Sequence, residues 1–203
     1  MNDFFTFFLL SLFVVMSPGI DTALITKRTI SDGKHDGFKI ALGITTGCFI
    51  HTIAAAFGLS AILLQSALAF EIIKYVGAFY LIYLGVTSFI TKKKNSSTKK
   101  TEERGKNAFT QGLLTNVLNP KVAVFFLTFL PQFVSVEGNA TKQLILMGVT
   151  YTLLSITWFF VYVFFIHFIR EWLLSPKVQR VMDRATGIVL IGFGLKLALE
   201  RQR

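Results

Sequence analysis

The stretch VVMSPGIDTALIT, residues 14–26, places a serine, a proline, a glycine and an aspartate inside a long apolar run, and it has a counterpart in NVLNPKVAVFFLT, residues 116–128. Aligned on Pro18 and Pro120, the two match Val15 with Val117, Ser17 with Asn119, Ile20 with Val122 and Thr26 with Thr128. Proline has no backbone donor and clashes with the preceding turn, so each copy predicts a helix that breaks or kinks there. In hydrocarbon the carbonyls freed by a break must find protein, water or ligand, and such breaks persist where they line a cavity. Interrupted apolar segments at matching places in two halves are the sequence pattern of a transporter's binding site.

The surrounding chain fits that solvent. Of its 203 residues 53% are hydrophobic, 22 are phenylalanine, and the mean hydropathy is +0.59, far from the balance of a water-soluble domain. Apolar runs can be drawn at roughly 4–26, 38–65, 72–91, 111–135, 143–169 and 181–199, each near or above the roughly 20 residues that span a bilayer. The expected fold is therefore an all-α integral membrane protein with six transmembrane helices. The residues leading into the first run hold Asp3 and no lysine or arginine, and no A-x-A cleavage pattern follows it, so it reads as a span and not as a signal peptide.

A net charge of +10 is no sign of nucleic-acid binding here, because the basic residues gather in alternate loops and form no amphipathic face. Lys27, Arg28, Lys34 and Lys39 follow the first span, Lys92 to Lys106 the third, and Arg170, Lys177, Arg180 and Arg184 the fifth. Positive-inside bias puts those three loops in the cytoplasm and both termini outside. The polar stretch TKKKNSSTKKTEERGK, residues 91–106, divides the chain almost in half. It reads as a flexible linker at 92–106 between one three-helix unit, 1–91, and another, 107–203. The third runs also match, GAFYLIYLG at 77–85 beside GIVLIGFG at 187–194. With an odd number of spans per unit, the second enters the membrane in the opposite sense, giving two inverted three-helix repeats.

Asp21 is the one carboxylate placed well inside a run by these boundaries. An aspartate at a helix centre costs about 2.5–3.5 kcal/mol on insertion scales, so it should face the interior and have a partner. It can serve a substrate ammonium or a coupling proton; alternatively it pairs with Lys27 or Arg28, or caps the resumed helix. Lys121, next to Pro120, can anchor a substrate carboxylate or balance Asp21, or its long stem can snorkel to the headgroups. Ser17, Gly19, Thr22, Asn116 and Asn119 complete the candidate set around Pro18 and Pro120. Their polar groups can bind a zwitterion or cap freed backbone. Gly43 and Gly47 form a GxxxG pair suited to close helix packing, and His51 in the same run is more readily a histidine bonded to a neighbouring helix than a proton relay.

Other functions lack their residues. There is no GxxxxGK[ST] phosphate loop for nucleotide hydrolysis. Cys48 alone forms no intramolecular redox pair, and His35, His51 and His167 have no metal-ligand spacing. No cofactor, metal site or enzymatic constellation is expected.

In SPGIDT (17–22), GFKIALGITTG (37–47), GAFYLIYLG, NAFTQGLLTNVLNPKVAVFFLTFLPQF (107–133) and GIVLIGFGLKLAL (187–199), the chain resembles the LysE/RhtB amino-acid exporters over nearly its whole length. The NPK triplet at 119–121 is the most specific part. The first motif departs from the family's PGPN form by Ile20 and Asp21, and an acidic residue there favours a cationic substrate or alters proton coupling. The resemblance implies a multi-pass protein of the bacterial inner membrane that exports amino acids or close derivatives by proton antiport. Its partners would be the amino-acid substrate, protons and the lipid bilayer, with homo-oligomers allowed. On this hypothesis Lys121 and the exposed backbone dipoles receive the carboxylate, Asp21 receives the ammonium or proton, and the halves rock to alternate access. The competing readings are a non-transporting membrane scaffold or enzyme subunit, and an uncoupled channel.

Overall fold

A computed structural model describes residues 4–59, 67–90, 107–134, 138–173 and 175–199, and among them every regular element is helical. The segment read as a linker lies outside the described residues. In chain order the helices are α1 (Phe4–Met16), α2 (Ile20–Asp32), α3 (Lys34–Ala54), α4 (Ala67–Ile90), α5 (Ala108–Val117), α6 (Pro120–Val124), α7 (Ala140–Phe164), α8 (Ile166–Leu173) and α9 (Pro176–Leu199). α3 runs on through a wide π turn at Ala55–Leu59; α6 continues through another at Phe125–Phe129 and a 3₁₀ turn at Leu130–Phe133.

By length and composition, the continuous helix Lys34–Gly58 and α7 can each cross a membrane. Two further pairs of helices are bent at a short break, and each is long and apolar enough to cross if taken as one span. α1 and α2 meet at 48°, and α5 and the helix Pro120–Phe133 meet at 50°. Sequence boundaries set both prolines toward one end of their runs; the helices reach from 4 to 32 and from 108 to 133, so each break falls near the middle of its pair. The local causes differ between the two. At the second, Leu118 ends α5, Asn119 accepts the Lys121 amide on its side-chain oxygen at 3.0 Å, and Pro120 stands first in α6, where its missing N–H costs nothing. At the first, Ser17 still closes a turn on the Phe13 carbonyl at 3.0 Å, Pro18 interrupts, and α2 starts after Gly19 with no side-chain cap.

Packing fixes the relative direction of the helices. The α3 glycines lie on α5: a Cβ on Gly43 would meet the Phe109 carbonyl and come within 2.7 Å of Leu113 N, and one on Gly47 would come within 2.6 Å of Asn116 Oδ1. Residue numbers rise together along this contact, so α3 and α5 run parallel. Against α7 they run oppositely, Gly37 meeting Val163 and Thr52 meeting Gly148. α4 and α9 also run antiparallel, with Gly85 and Gly187 each so close that a Cβ on one would lie 2.8 Å from the carbonyl of the other, while Gly194 lies against Ala78. The glycine spacing read in the two third runs therefore serves close approach between them.

Two buried clusters flank the middle of the molecule. Phe7, Phe125, Phe126, Phe129, Phe133, Met147 and Tyr151 form one; Ile25, Ile40, Ile44, Phe159, Tyr162 and Val163 form the other. Charges collect at one end. Gly33, at φ +91°, turns α2 into α3 with a backbone that favours glycine. Beside that turn Arg28 pairs with Asp32 at 2.8 Å and Asp36 at 3.5 Å, and Lys34 donates to the Phe164 carbonyl at 3.0 Å. The first basic loop and the end of α7 thus share one end, as the alternating charge pattern requires.

The α3–α5 seam has a direct test. Gly43→Ala should destabilise the protein by about 1–3 kcal/mol, because a methyl group there is driven into backbone. Gly192→Ala, where a Cβ meets nothing within 4 Å, should not. Thermal unfolding of purified protein in detergent compares the two.

Candidate functional site

Where the two breaks face each other, a cleft of ≈ 430 Å³, its open mouth included, lies between the buried clusters. All the residues of the candidate set around the two breaks line it except the two prolines: Ser17, Gly19, Asp21 and Thr22 from the first break, Asn116, Asn119 and Lys121 from the second. Pro18 and Pro120 shape the site without lining it.

Asp21 stands in the first turn of α2, where the helix N-terminus favours a negative charge. Its Oδ2 accepts the Asn116 side-chain amide at 2.9 Å, and its Oδ1 is buried with no hydrogen-bond partner. The alternative pairing with Arg28 is not formed, since that guanidinium turns to Asp32 and Asp36. Asn119, Lys121 and His51 stand within electrostatic reach of the Asp21 carboxylate.

Asn116 is the organising residue. Only 1% exposed, it sits on the bare face of Gly47 and uses every polar group it has. Its Nδ2 holds Asp21; its Oδ1 accepts Cys48 Sγ at 3.7 Å. Its carbonyl, released by the break, accepts the His51 Nε2 proton at 3.3 Å and the Asn119 amide at 3.0 Å. His51 is accordingly bonded to a neighbouring helix, with its ring stacked on Phe126 at 5.6 Å.

Lys121 reaches across to the first break. Its Nζ donates to Ser17 Oγ at 3.4 Å, and a Cβ on Gly19 would lie 3.9 Å from that Nζ. Gly19 has an extended backbone open to any residue, so its contribution is the space beside the ammonium. Lys121 and Asp21 share the cleft without a contact ion pair. The ammonium does not snorkel out to a headgroup; it points inward. The matched residues Ser17 and Asn119 have diverged, Asn119 capping α6 while Ser17 bonds Thr186 Oγ1 of α9 at 2.9 Å.

Several lining residues were not foreseen. Tyr151, Ser155 and Phe159 come from α7 and Cys48 from α3. The spacing of four between the α7 residues marks one helix face, but nothing local says which face meets the breaks. Asp183, at the edge of the last run as drawn, is a correction to the expectation that Asp21 is the only carboxylate well inside a run. The last helix begins at Pro176 and not near 181, which sets Asp183 two turns into it, within electrostatic reach of Lys121.

Comparison with known proteins agrees with this layout. Residues 12–201 match the family described as LysE type translocator. The chain is 37% identical to an uncharacterized membrane protein of Bacillus subtilis, YrhP, over 98% of its own length and 100% of that protein's. It is 29% identical to a homoserine/homoserine lactone efflux protein of Salmonella typhimurium, covering 97% of this chain and 96% of the relative. An uncharacterized membrane protein of Vibrio cholerae is 27% identical over 92% and 91%. No solved structure matches significantly. The chain belongs to the LysE type translocator family.

Proposed function

We propose that this translocator exports amino acids or close derivatives from the bacterial cytoplasm across the inner membrane by proton antiport. The observation that carries the reading is the pairing, in one cleft between two broken helices, of an inward-pointing ammonium at Lys121 with a carboxylate at Asp21 that has an unpartnered oxygen. Such a pair is complementary to a zwitterion. The substrate carboxylate meets Lys121 and the uncapped amides opening α2, and the substrate ammonium meets Asp21 Oδ1. Ser17, Thr22, Asn116 and Asn119 frame these charges.

Exchange of cargo for a proton follows from the same carboxylate. A bound ammonium and a bound proton compete for Asp21, so substrate leaves with Asp21 ionised and a proton from outside neutralises it for the return. The efflux activity in the name of the Salmonella relative supports the direction, and homoserine supports a small polar amino acid as the first candidate substrate.

The architecture we propose is six spans as two inverted three-helix repeats, 1–91 and 107–203, joined by a cytoplasmic linker at 92–106. Helix directions support it. The second and fourth crossings, α3 and α5, run parallel, while the equivalent pairs α3 with α7 and α4 with α9 run antiparallel, as inversion requires.

Two outcomes test the assignment in proteoliposomes, after a counterflow screen of amino acids with the wild-type protein has identified a substrate. Asp21→Asn, which can neither ionise nor attract an ammonium, should abolish transport driven by a pH gradient. Lys121→Ala should weaken the apparent affinity for the amino acid by about tenfold or more, the loss of a charge-assisted hydrogen bond, and weaken it far less for the corresponding amino-acid amide. Wild-type transport and unchanged pH dependence in both variants would remove these side chains from the mechanism.

A further inference from the structure

Lys121 has a second acidic neighbour, for which the binding scheme has no use. Asp183, half-buried on α9, has Lys121 as the one charged group that it interacts with among the described residues; Arg180 and Arg184 on the same helix are exposed. Its placement is fixed by helix register. Thr186, three residues on and so on the same face, is 5% exposed and bonded to Ser17, whose hydroxyl also accepts from Lys121 Nζ. Lys121 and Ser17 therefore meet α9 at Thr186, and Asp183, one turn before it, lies within electrostatic reach of Lys121. The matching positions of the first half carry apolar residues instead. By the match of Gly187 with Gly77, the α4 positions equivalent to Asp183 and Thr186 are Ile73 and Val76.

We infer that Asp183 is the internal counter-ion that Lys121 takes up whenever the substrate carboxylate is absent. The reasoning rests on the antiport reading above. On the return step Asp21 carries the driving proton and is neutral, so it cannot balance Lys121, and an unbalanced ammonium in a dry site is strongly disfavoured. Asp183 supplies the missing negative charge. When an amino acid arrives, its carboxylate replaces Asp183 at Lys121, and one electrostatic tie between α9 and the breaks is exchanged for one to the cargo. Asp183 acts through Lys121 and is a positioning residue that competes with the substrate.

This separates two fluxes. Exchange of internal for external amino acid needs only the loaded form to cross; net efflux needs the empty form to return. In proteoliposomes, Asp183→Asn should lower net efflux by about tenfold or more while exchange stays within about twofold of wild type, and its half-saturating amino-acid concentration should fall because the competitor is gone. Asp183→Glu should restore net efflux. Wild-type net efflux in Asp183→Asn overturns the inference, and so does equal loss of both fluxes in a variant that still elutes as folded protein, the result of mere structural support. Should the asparagine variant not fold, Asp183→Ser decides: added formate should raise its net efflux, and no response overturns the inference. Absence of exchange in the wild-type protein would instead overturn the transport reading beneath it.

Discussion

A backbone broken at mid-membrane has no water to complete its hydrogen bonds, and the interior of this protein is organised around that constraint. The second break frees the carbonyl of Asn116, and His51 from α3 and the amide of Asn119 take it. For His51 to reach, α3 must lie against α5, and the bare faces of Gly43 and Gly47 permit that approach. The same approach buries the Asn116 side chain, which then has an amide to spare for Asp21. The position of the site's carboxylate thus follows from satisfying one peptide group. A side chain at Gly47 would collide with Asn116 before it touched any ligand.

Much of this was legible in the chain because its signals are local. Proline inside an apolar run announces a break, asparagine before Pro120 announces a cap, and glycines spaced by four or eight announce close helix contact. Ser17, Asp21, Asn116 and Lys121 were recognisable because a polar group in hydrocarbon needs a reason. What stayed hidden depends on where helices meet. Tyr151, Ser155 and Phe159 form an ordinary face of an ordinary apolar helix until another helix turns toward it. Asp183 was discounted by its place: hydropathy starts the last run near 181 and leaves it at the edge, while the helix begins earlier, at Pro176, and carries it inward.

The two halves keep a common backbone device and have parted in chemistry. Ser17 and Asn119 occupy matched positions, yet one reaches across to α9 and the other caps its own helix. Asp21 and Lys121 follow their prolines at different distances and bear opposite charges. Two identical breaks would offer like charges to a cargo; on the proposed reading, the difference between them is what suits the cleft to a molecule with one charge of each sign.

The glycine seams bear on which parts of the molecule can move as bodies. α3 and α5 interlock through backbone contact, as do α4 and α9, and in each case the partners come from different halves of the sequence. A motion that kept both seams closed would carry α4 and α9 together as one stave against the bundle of α1, α2, α3, α5 and α7. The line of mechanical division would then cut across the division between the two halves of the sequence. Against that stave the second broken helix packs Val124 and Thr128, while Ser17 bonds Thr186 and Lys121 stands within electrostatic reach of Asp183, so the hinge of access and the proposed seat of the cargo would share one lysine.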